Sequence, residues 1–279
     1  MRPEATRKYL RDVRRVRGWF WPAAAHLFGM LDEIQKTAGV RGQLFEIGTF
    51  HGKSTILLAG MLEPGSEKLG VCDCFGVDEA GSRGGGFFDE FARNVQSHSD
   101  RWELIRTFAK PSTRLSVEDT TNDCRFFHID GDHAAETVCN DLHVAANAVN
   151  ERGVAVLDDI YNFAWPGVAE GFFRFMRERP GAFVPLCMGF NKLVLCRSPA
   201  RAMYAEWLAN GDRCWEFIPR GPVSLKTVDL CGSETFVFHI PSRKSPDPMR
   251  TVLSVLHQHM PGWAEVASRL VGYHAAAAG

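Results

Sequence analysis

The run Phe45-Glu-Ile-Gly-Thr-Phe-His-Gly-Lys-Ser-Thr55 reads as a strand, a glycine turn and a helix start. The short apolar segment from Gln43 to Ile47 predicts the strand, and a helix is expected to begin near Gly52. Gly48 can adopt backbone angles barred to other residues and lets a ligand approach the main chain. The helix start offers unpaired N–H groups and the positive end of a dipole. Glu46 falls at the carboxyl end of the strand, where open α/β sheets bind ligands. An acidic group there suits a ligand carrying an ammonium or hydroxyls, not a bare phosphate. Two phosphate-binding frames fail. A P-loop needs four residues between its glycine and the Gly-Lys-Ser/Thr, and Gly48 and Gly52 enclose three. Thr49-Phe50 breaks the spacing of a dinucleotide fingerprint.

Working outward, strands are expected at 43–47, 69–74, 102–107, 124–129 and 153–158, and helices at 53–62, 87–97, 111–118, 134–150 and 167–179. Strands alternating with helices predict a doubly wound parallel sheet. Two more strands, Phe183 to Met188 and Lys192 to Cys196, are linked too closely for a helical crossover and should form an antiparallel hairpin. The fold class is therefore α/β, a seven-stranded, mostly parallel sheet ending in that hairpin. Residues 1–40 form an N-terminal helical cap, 41–198 the core and 199–279 a C-terminal extension. The extension should carry helices at Met203 to Leu208 and Met249 to His259 and a strand at Thr235 to Ile240. It is expected to shape a substrate pocket or a dimer interface.

The chemistry gathers at two strand ends. Phe126-Phe-His-Ile129 delivers Asp130-Gly-Asp-His133, and Val154-Ala-Val-Leu157 delivers Asp158-Asp159. Adjacent strands ~4.8 Å apart bring Asp130, Asp158 and Asp159 within reach of one cation. The clusters contain no Lys or Arg, so three carboxylates repel one another unless something neutralises them. Hard oxygen donors favour Mg²⁺, Mn²⁺ or Ca²⁺ over zinc. The alternatives are a helix cap at Asp158-Asp159 and turn hydrogen bonds at Asp130 and Asp132. An imidazole with a pKa near 6.5 makes His133 a competent base. Tyr161, Phe163 and Trp165 follow the acidic pair and either shape an acceptor pocket or pack under a loop.

The pattern Glu46-x-Gly48-x-x-x-Gly52-x-Ser54 resembles the S-adenosylmethionine (SAM) loop of class I methyltransferases. With Asp130, Asp158 and Asp159 it resembles the Mg²⁺-dependent O-methyltransferases over roughly residues 40–198. The macrocin/mycinamicin-type sugar enzymes and, more distantly, catechol O-methyltransferase are the relatives in view. The resemblance implies SAM and Mg²⁺ as cofactors. It places Glu46 and Gly48 at the methionine portion, Ser54 on its carboxylate, Asp73 on the ribose hydroxyls and Ala109 and Ser112 beside the adenine. It makes Asp130, Asp158 and Asp159 the metal ligands. The catechol enzymes carry a lysine where His133 stands, so His133 or Asp130 is the base. The implied reaction methylates a sugar hydroxyl of a glycan or glycosylated natural product. A catechol-like small-molecule reaction and a cephalosporin-hydroxylase-like enzyme are the alternatives.

Composition narrows the partners. A net charge of −1 gives no pull toward nucleic acid or anionic membrane. No apolar run approaches the ~20 residues of a membrane span, and no secretory signal is read at the Arg-rich N-terminus. Cys72, Cys124, Cys187 and Cys196 sit in or beside apolar strand segments and read as buried thiols, which fits a reducing cytoplasm. The expected partner is a small-molecule or glycan acceptor, and the chain is expected to form a homo-oligomer. The basic helix Thr6 to Arg17, leading into Trp19-Phe20-Trp21, reads as a lid, a dimer arm, a solvated helix or a membrane-surface helix. Gly81 to Gly86 reads as a mobile loop near the ligand end of the sheet, or as a plain surface connection.

Overall fold

The computed structural model describes residues 1–76, 86–218 and 223–239. Two N-terminal helices, α1 (Pro3–Asp12) and α2 (Pro22–Thr37), lead into β1 (Gln43–Ile47) and α3 (Lys53–Met61). β2 (Leu69–Asp73), α4 (Phe88–His98), β3 (Ile105–Ala109) and the short α5 (Val117–Thr120) follow. Next come β4 (Cys124–Ile129), α6 (Ala135–Ala148), β5 (Val149–Asp158), α7 (Pro166–Glu178), β6 (Val184–Gly189) and β7 (Lys192–Cys196). α8 (Arg201–Ala209), α9 (Gly211–Phe217), β8 (Ser224–Leu230) and β9 (Ser233–His239) complete the described chain.

The strands form one sheet in the order β3-β2-β1-β4-β5-β7-β6-β9-β8. The first five are parallel, and β7 runs antiparallel between β5 and β6, as the short link predicted. That link is a two-residue turn in which Phe190 and Asn191 both have positive φ, the backbone a tight hairpin requires. Helices cover both faces, so the central strands read as continuous apolar runs; all six residues of β4 are buried. Alternation sends Leu44, Phe126, Val154 and Val156 to a core layer shared with α2, α3, α8 and α9. Phe45, Phe127, Ile129 and Leu157 face the layer under α6 and α7.

The sheet has nine strands among the described residues, not seven. β9 joins β6 in parallel and β8 closes the edge. β9 buries Thr235, Phe236 and Phe238, which is its alternating signal. β8 is largely exposed edge, so its sequence carries no such period. The helix expected at 111–118 shrinks to a 3₁₀ turn at Ser112–Arg114 and the four residues of α5. The four strand cysteines are buried free thiols. No helix among the described residues is long and apolar enough to cross a membrane. The glycine loop at 81–86, Gly86 aside, and the helix expected at Met249 to His259 lie outside the described residues.

At the amino end of β4, Arg125 is fully buried. Its guanidinium donates to Glu67 (2.7 and 2.9 Å), Asp32 (2.8 Å), Gln35 (2.8 Å) and the Met61 carbonyl (2.9 Å). The main-chain amine of Met1 pairs with Asp32 from the other side.

Candidate active site

The strand order reverses between β1 and β4, and the crevice opens there at the carboxyl ends. Gly48, at φ +82°, lies so close to the end of β4 that an added Cβ would stand 1.8 Å from the Asp130 carbonyl oxygen. The glycine thus lets two strand ends converge. Beyond it lies a cavity of about 990 Å³, at the upper end of the range for small-molecule sites.

Of the residues singled out from sequence, Gly48, Ser54, Asp73, Ser112, Asp130, His133, Asp158 and Asp159 line this cavity. Glu46 and Ala109 do not. Alternation turns Glu46 into the core, where it accepts from the Thr55 hydroxyl and meets His128 Nδ1 at 2.9 Å. That position is dictated by register, since Glu46 and His128 are cross-strand neighbours. Ala109 ends β3 with its side chain exposed, and the wall passes instead through Lys110 to Thr113. Asp73 pins the turn after β1. Its Oδ2 accepts from the Thr49 and Phe50 N–H groups (2.7 and 2.9 Å) and the Thr49 hydroxyl (3.2 Å). Its Oδ1 accepts from the Phe75 N–H (2.8 Å).

The three aspartates meet as their strand positions predict. Burial, followed by the charge of Asp158, pushes the Asp130 carboxyl well above its ordinary range. The clusters themselves contain no Lys or Arg, but the fold brings one in from another strand. Register places Lys192 of β7 directly across from Asp158, and its Nζ lies 2.5 Å from Asp158 Oδ2. Asp158 Oδ1 accepts from the Asp159 N–H at 2.8 Å and the Asn191 amide at 3.3 Å. Asp159 stands at φ +56°. Its Oδ1 takes the amides of Asn162 (2.9 Å) and Asn191, and its Oδ2 meets His133 Nε2 at 3.0 Å. Burial raises the Asp159 carboxyl, but those two amides and His133 outweigh it and hold it below its ordinary value. The His133 ring stacks on Trp165 at 4.4 Å and 15°.

Donor atoms of Asp130, His133 and Asp159 lie within 4.8 Å of one another, as do those of His128, Asp130 and Asp158. Among the described residues, buried His128 Nε2 has no hydrogen-bond partner. Three carboxylates against the Lys192 ammonium leave two negative charges in excess. Lys192, Asn191, Asn162 and His128 were missed from sequence. Lys192 carried no local signal, because the turn at Phe190-Asn191 fixes the register of β6 and β7, and only the separate β5–β7 pairing sets Lys192 opposite Asp158.

The N-terminal segment Arg17 to Trp21 forms one wall of the cavity. Trp19 stacks on Phe50 at 5.4 Å, and Phe20 packs on Phe28 at 5.2 Å and lies 5.0 Å from Lys192 Nζ. Lys53 Nζ donates to the Gly18 carbonyl (2.9 Å), and the Tyr9 hydroxyl donates to the Lys53 carbonyl (2.7 Å). Among the described residues, nothing beyond Asn191 lines the cavity.

Residues 45–160 match a family model described as a methyltransferase domain. No curated protein matches the chain. Among solved structures, the O-methyltransferase NovP is similar at 20% identity and a TM-score of 0.50, covering 62% of this chain and 79% of its own. The TDP-rhamnose 3'-O-methyltransferase CalS11 is similar at 12% identity and a TM-score of 0.44, covering 62% and 80%. An O-methyltransferase from Bacillus cereus, in complex with SAH, gives 18% identity and a TM-score of 0.45, covering 70% and 90%. The resemblance to class I methyltransferases read from the glycine turn and the aspartates is borne out, by the domain match over 45–160 and, for the fold, by NovP.

Proposed function

We propose that this methyltransferase domain transfers the methyl group of SAM to a hydroxyl oxygen of a sugar-bearing acceptor, with a divalent cation such as Mg²⁺ at the aspartate cluster. The observation that carries the reading is that one cavity joins the glycine turn and Asp73 to Asp130, Asp158 and Asp159. The residues present fit both groups. The start of α3, with the Ser54 hydroxyl on the cavity wall, suits a carboxylate. Asp73 Oδ1 takes only the Phe75 N–H among the described residues, which leaves it able to accept from a ribose hydroxyl. The two uncompensated negative charges match one divalent cation. The raised Asp130 carboxyl is what a carboxylate shows when its counter-charge is a proton.

A sulfonium donor supplies an electrophilic methyl group, and a divalent cation acidifies a hydroxyl. The chain's own residues do the rest. His133 takes the hydroxyl proton at Nδ1, since its Nε2 is committed to Asp159, which stabilises the resulting imidazolium. Trp165 holds the imidazole plane. The lid segment and the loop after β5 exclude water and position the acceptor. A ring-bearing acceptor is supported by the aromatic rim. Trp19, Trp21 and Trp165 line the cavity yet are exposed, and Phe163, two residues before Trp165, is 98% exposed. Such faces stack on sugar rings.

The test is calorimetric titration with SAM, with and without Mg²⁺, followed by assay of S-adenosylhomocysteine release against mono- and oligosaccharides and catechols. SAM binding with chelator-sensitive turnover on a saccharide is the expected result. Absence of SAM binding overturns the whole reading. Turnover that survives chelation removes the cation, and turnover on catechols alone reassigns the acceptor.

A further inference from the structure

Helices α6 and α7 cover one face of the sheet and approach each other closely; a Cβ added at Gly171 would stand 2.6 Å from the Ala135 carbonyl oxygen. Cys139 and His143 stand four residues apart on α6, so they share one face of that helix. Glu178, the last residue of α7, meets both. Its Oε2 lies 2.9 Å from His143 Nε2 and 3.5 Å from Cys139 Sγ. Its Oε1 accepts from Arg174 Nε at 2.7 Å, which anchors the carboxylate. The His143 ring stands edge-on to Phe175 at 5.2 Å. The thiol is buried, and the imidazole and carboxylate are partly exposed, so the trio opens to solvent on one side. None of the three lines the cavity of the candidate active site.

A thiol and an imidazole thus converge as proton donors on one carboxylate oxygen, and a cation can take the place of both protons. Two ligands of a tetrahedral Zn²⁺ at its usual bond lengths stand about 3.3–3.6 Å apart. Sγ and Oε2 already have that separation. Nε2 and Oε2 need to part by about 0.4 Å to reach it. Donor atoms of all three residues lie within 4.8 Å of one another. Arg174 is the like charge an ion would meet, and Glu136, on the same helix as Cys139, acts on it with the opposite sign. Ion, thiolate, two carboxylates and guanidinium together carry no net charge.

We propose that Cys139, His143 and Glu178 form a peripheral site for a thiophilic divalent cation such as Zn²⁺, which clasps α6 to α7. A thiolate and an imidazole select Zn²⁺ over the hard cations Mg²⁺ and Ca²⁺. Three protein donors leave a fourth position to water. α6 follows the segment from Asp130 to His133, and α7 follows the one from Asp158 to Trp165. The clasp therefore ties together the two helices that leave the aspartate cluster, and it is independent of any cation bound there.

The test titrates the full chain, its thiols kept reduced, with Co²⁺ in the presence of excess Mg²⁺. Co²⁺ reports a thiolate ligand by a near-ultraviolet charge-transfer band, which the aspartates cannot give. One equivalent should produce that band, and Zn²⁺ should abolish it. Cys139→Ala should remove the band, and His143→Gln should weaken Co²⁺ and Zn²⁺ binding roughly a hundredfold. Zn²⁺ at about a hundredfold excess over its Kd should raise the wild-type melting temperature by roughly 5 °C or more. Should Cys139→Ala fail to fold, His143→Gln, at a partly exposed position, carries the test. Absence of the thiolate band in wild type overturns the proposal. So does a band that survives Cys139→Ala, which moves the ligand to a more accessible thiol such as Cys74 or Cys231. A band and an affinity untouched by His143→Gln reduce the site to a lone thiol and overturn it equally.

Discussion

Strand β4 carries a buried ionic cluster at each end, and the two are built on opposite principles. At the amino end, the five N–H groups of Arg125 are all used, on Glu67, Asp32, Gln35 and the Met61 carbonyl. The amine of Met1 and Lys36 add positive charge around Asp32. At the carboxyl end, one lysine, paired with Asp158, stands among three aspartates, and His128 Nε2 has no hydrogen-bond partner among the described residues. A closed network is what stability asks of buried charge. An open one, held in place by the same strand and facing a cavity, is what a ligand site asks. On the proposed function, the difference separates a ligand-binding end of the sheet from an end that holds the fold.

Mutation should separate the two ends, and the largest effect belongs to the closed one. Arg125→Met leaves Asp32 and Glu67 buried without their partner and should cost about 3–5 kcal/mol of unfolding free energy, read by urea titration. Asp130→Asn should leave the melting temperature unchanged or raised, because it relieves repulsion, while methyl transfer falls roughly a hundredfold. A stable Arg125→Met alongside an unfolding Asp130→Asn would invert the comparison.

A third buried carboxyl sharpens it. Asp141 on α6 is fully buried, its Oδ2 has no hydrogen-bond partner among the described residues, and burial pushes its carboxyl up to about 7. A carboxyl raised in the folded state binds its proton more tightly there than in the unfolded chain. Stability is therefore full below the ordinary carboxylate range and declines as pH rises from about 4 through about 7. Asp141→Asn should flatten that slope and gain roughly 1–3 kcal/mol at pH 8. Unfolding free energies of both proteins at pH 5 and pH 8 decide it, and a slope that survives the substitution refutes the assignment.

Most of the parallel sheet was legible because its signal is local. Alternation of apolar runs and helical periods located β1, β4, β6 and β7 to within a residue at each end. The aspartate cluster was legible because strand ends are where a doubly wound sheet gathers its ligands. What was lost is what depends on pairing. Lys192 reads as an ordinary strand residue until register sets it opposite Asp158. Glu46 reads as a ligand contact until the same strand arithmetic buries it against His128. β8 has no alternation because it lies at an exposed edge.

The smallest expected effect tests whether the open cluster is held as firmly as the closed one. Among the described residues, Asp159 is the charged group that orients His133, and its ring plane is set by the stack on Trp165. An aromatic pair of this kind contributes about 0.5–1.5 kcal/mol beyond its buried area. Trp165→Ala should therefore lower kcat roughly tenfold, since 1.36 kcal/mol is one decade in rate. SAM affinity should stay within about twofold, because Trp165 stacks on His133 and not on the glycine turn or Asp73. The pH at which kcat reaches half its plateau should also move, as the freed imidazole loses its fixed contact with Asp159. Equal losses in SAM binding and kcat, with no movement of the pH profile, would mean that Trp165 supports the cavity as a whole. His133 would then owe its place to Asp159 alone.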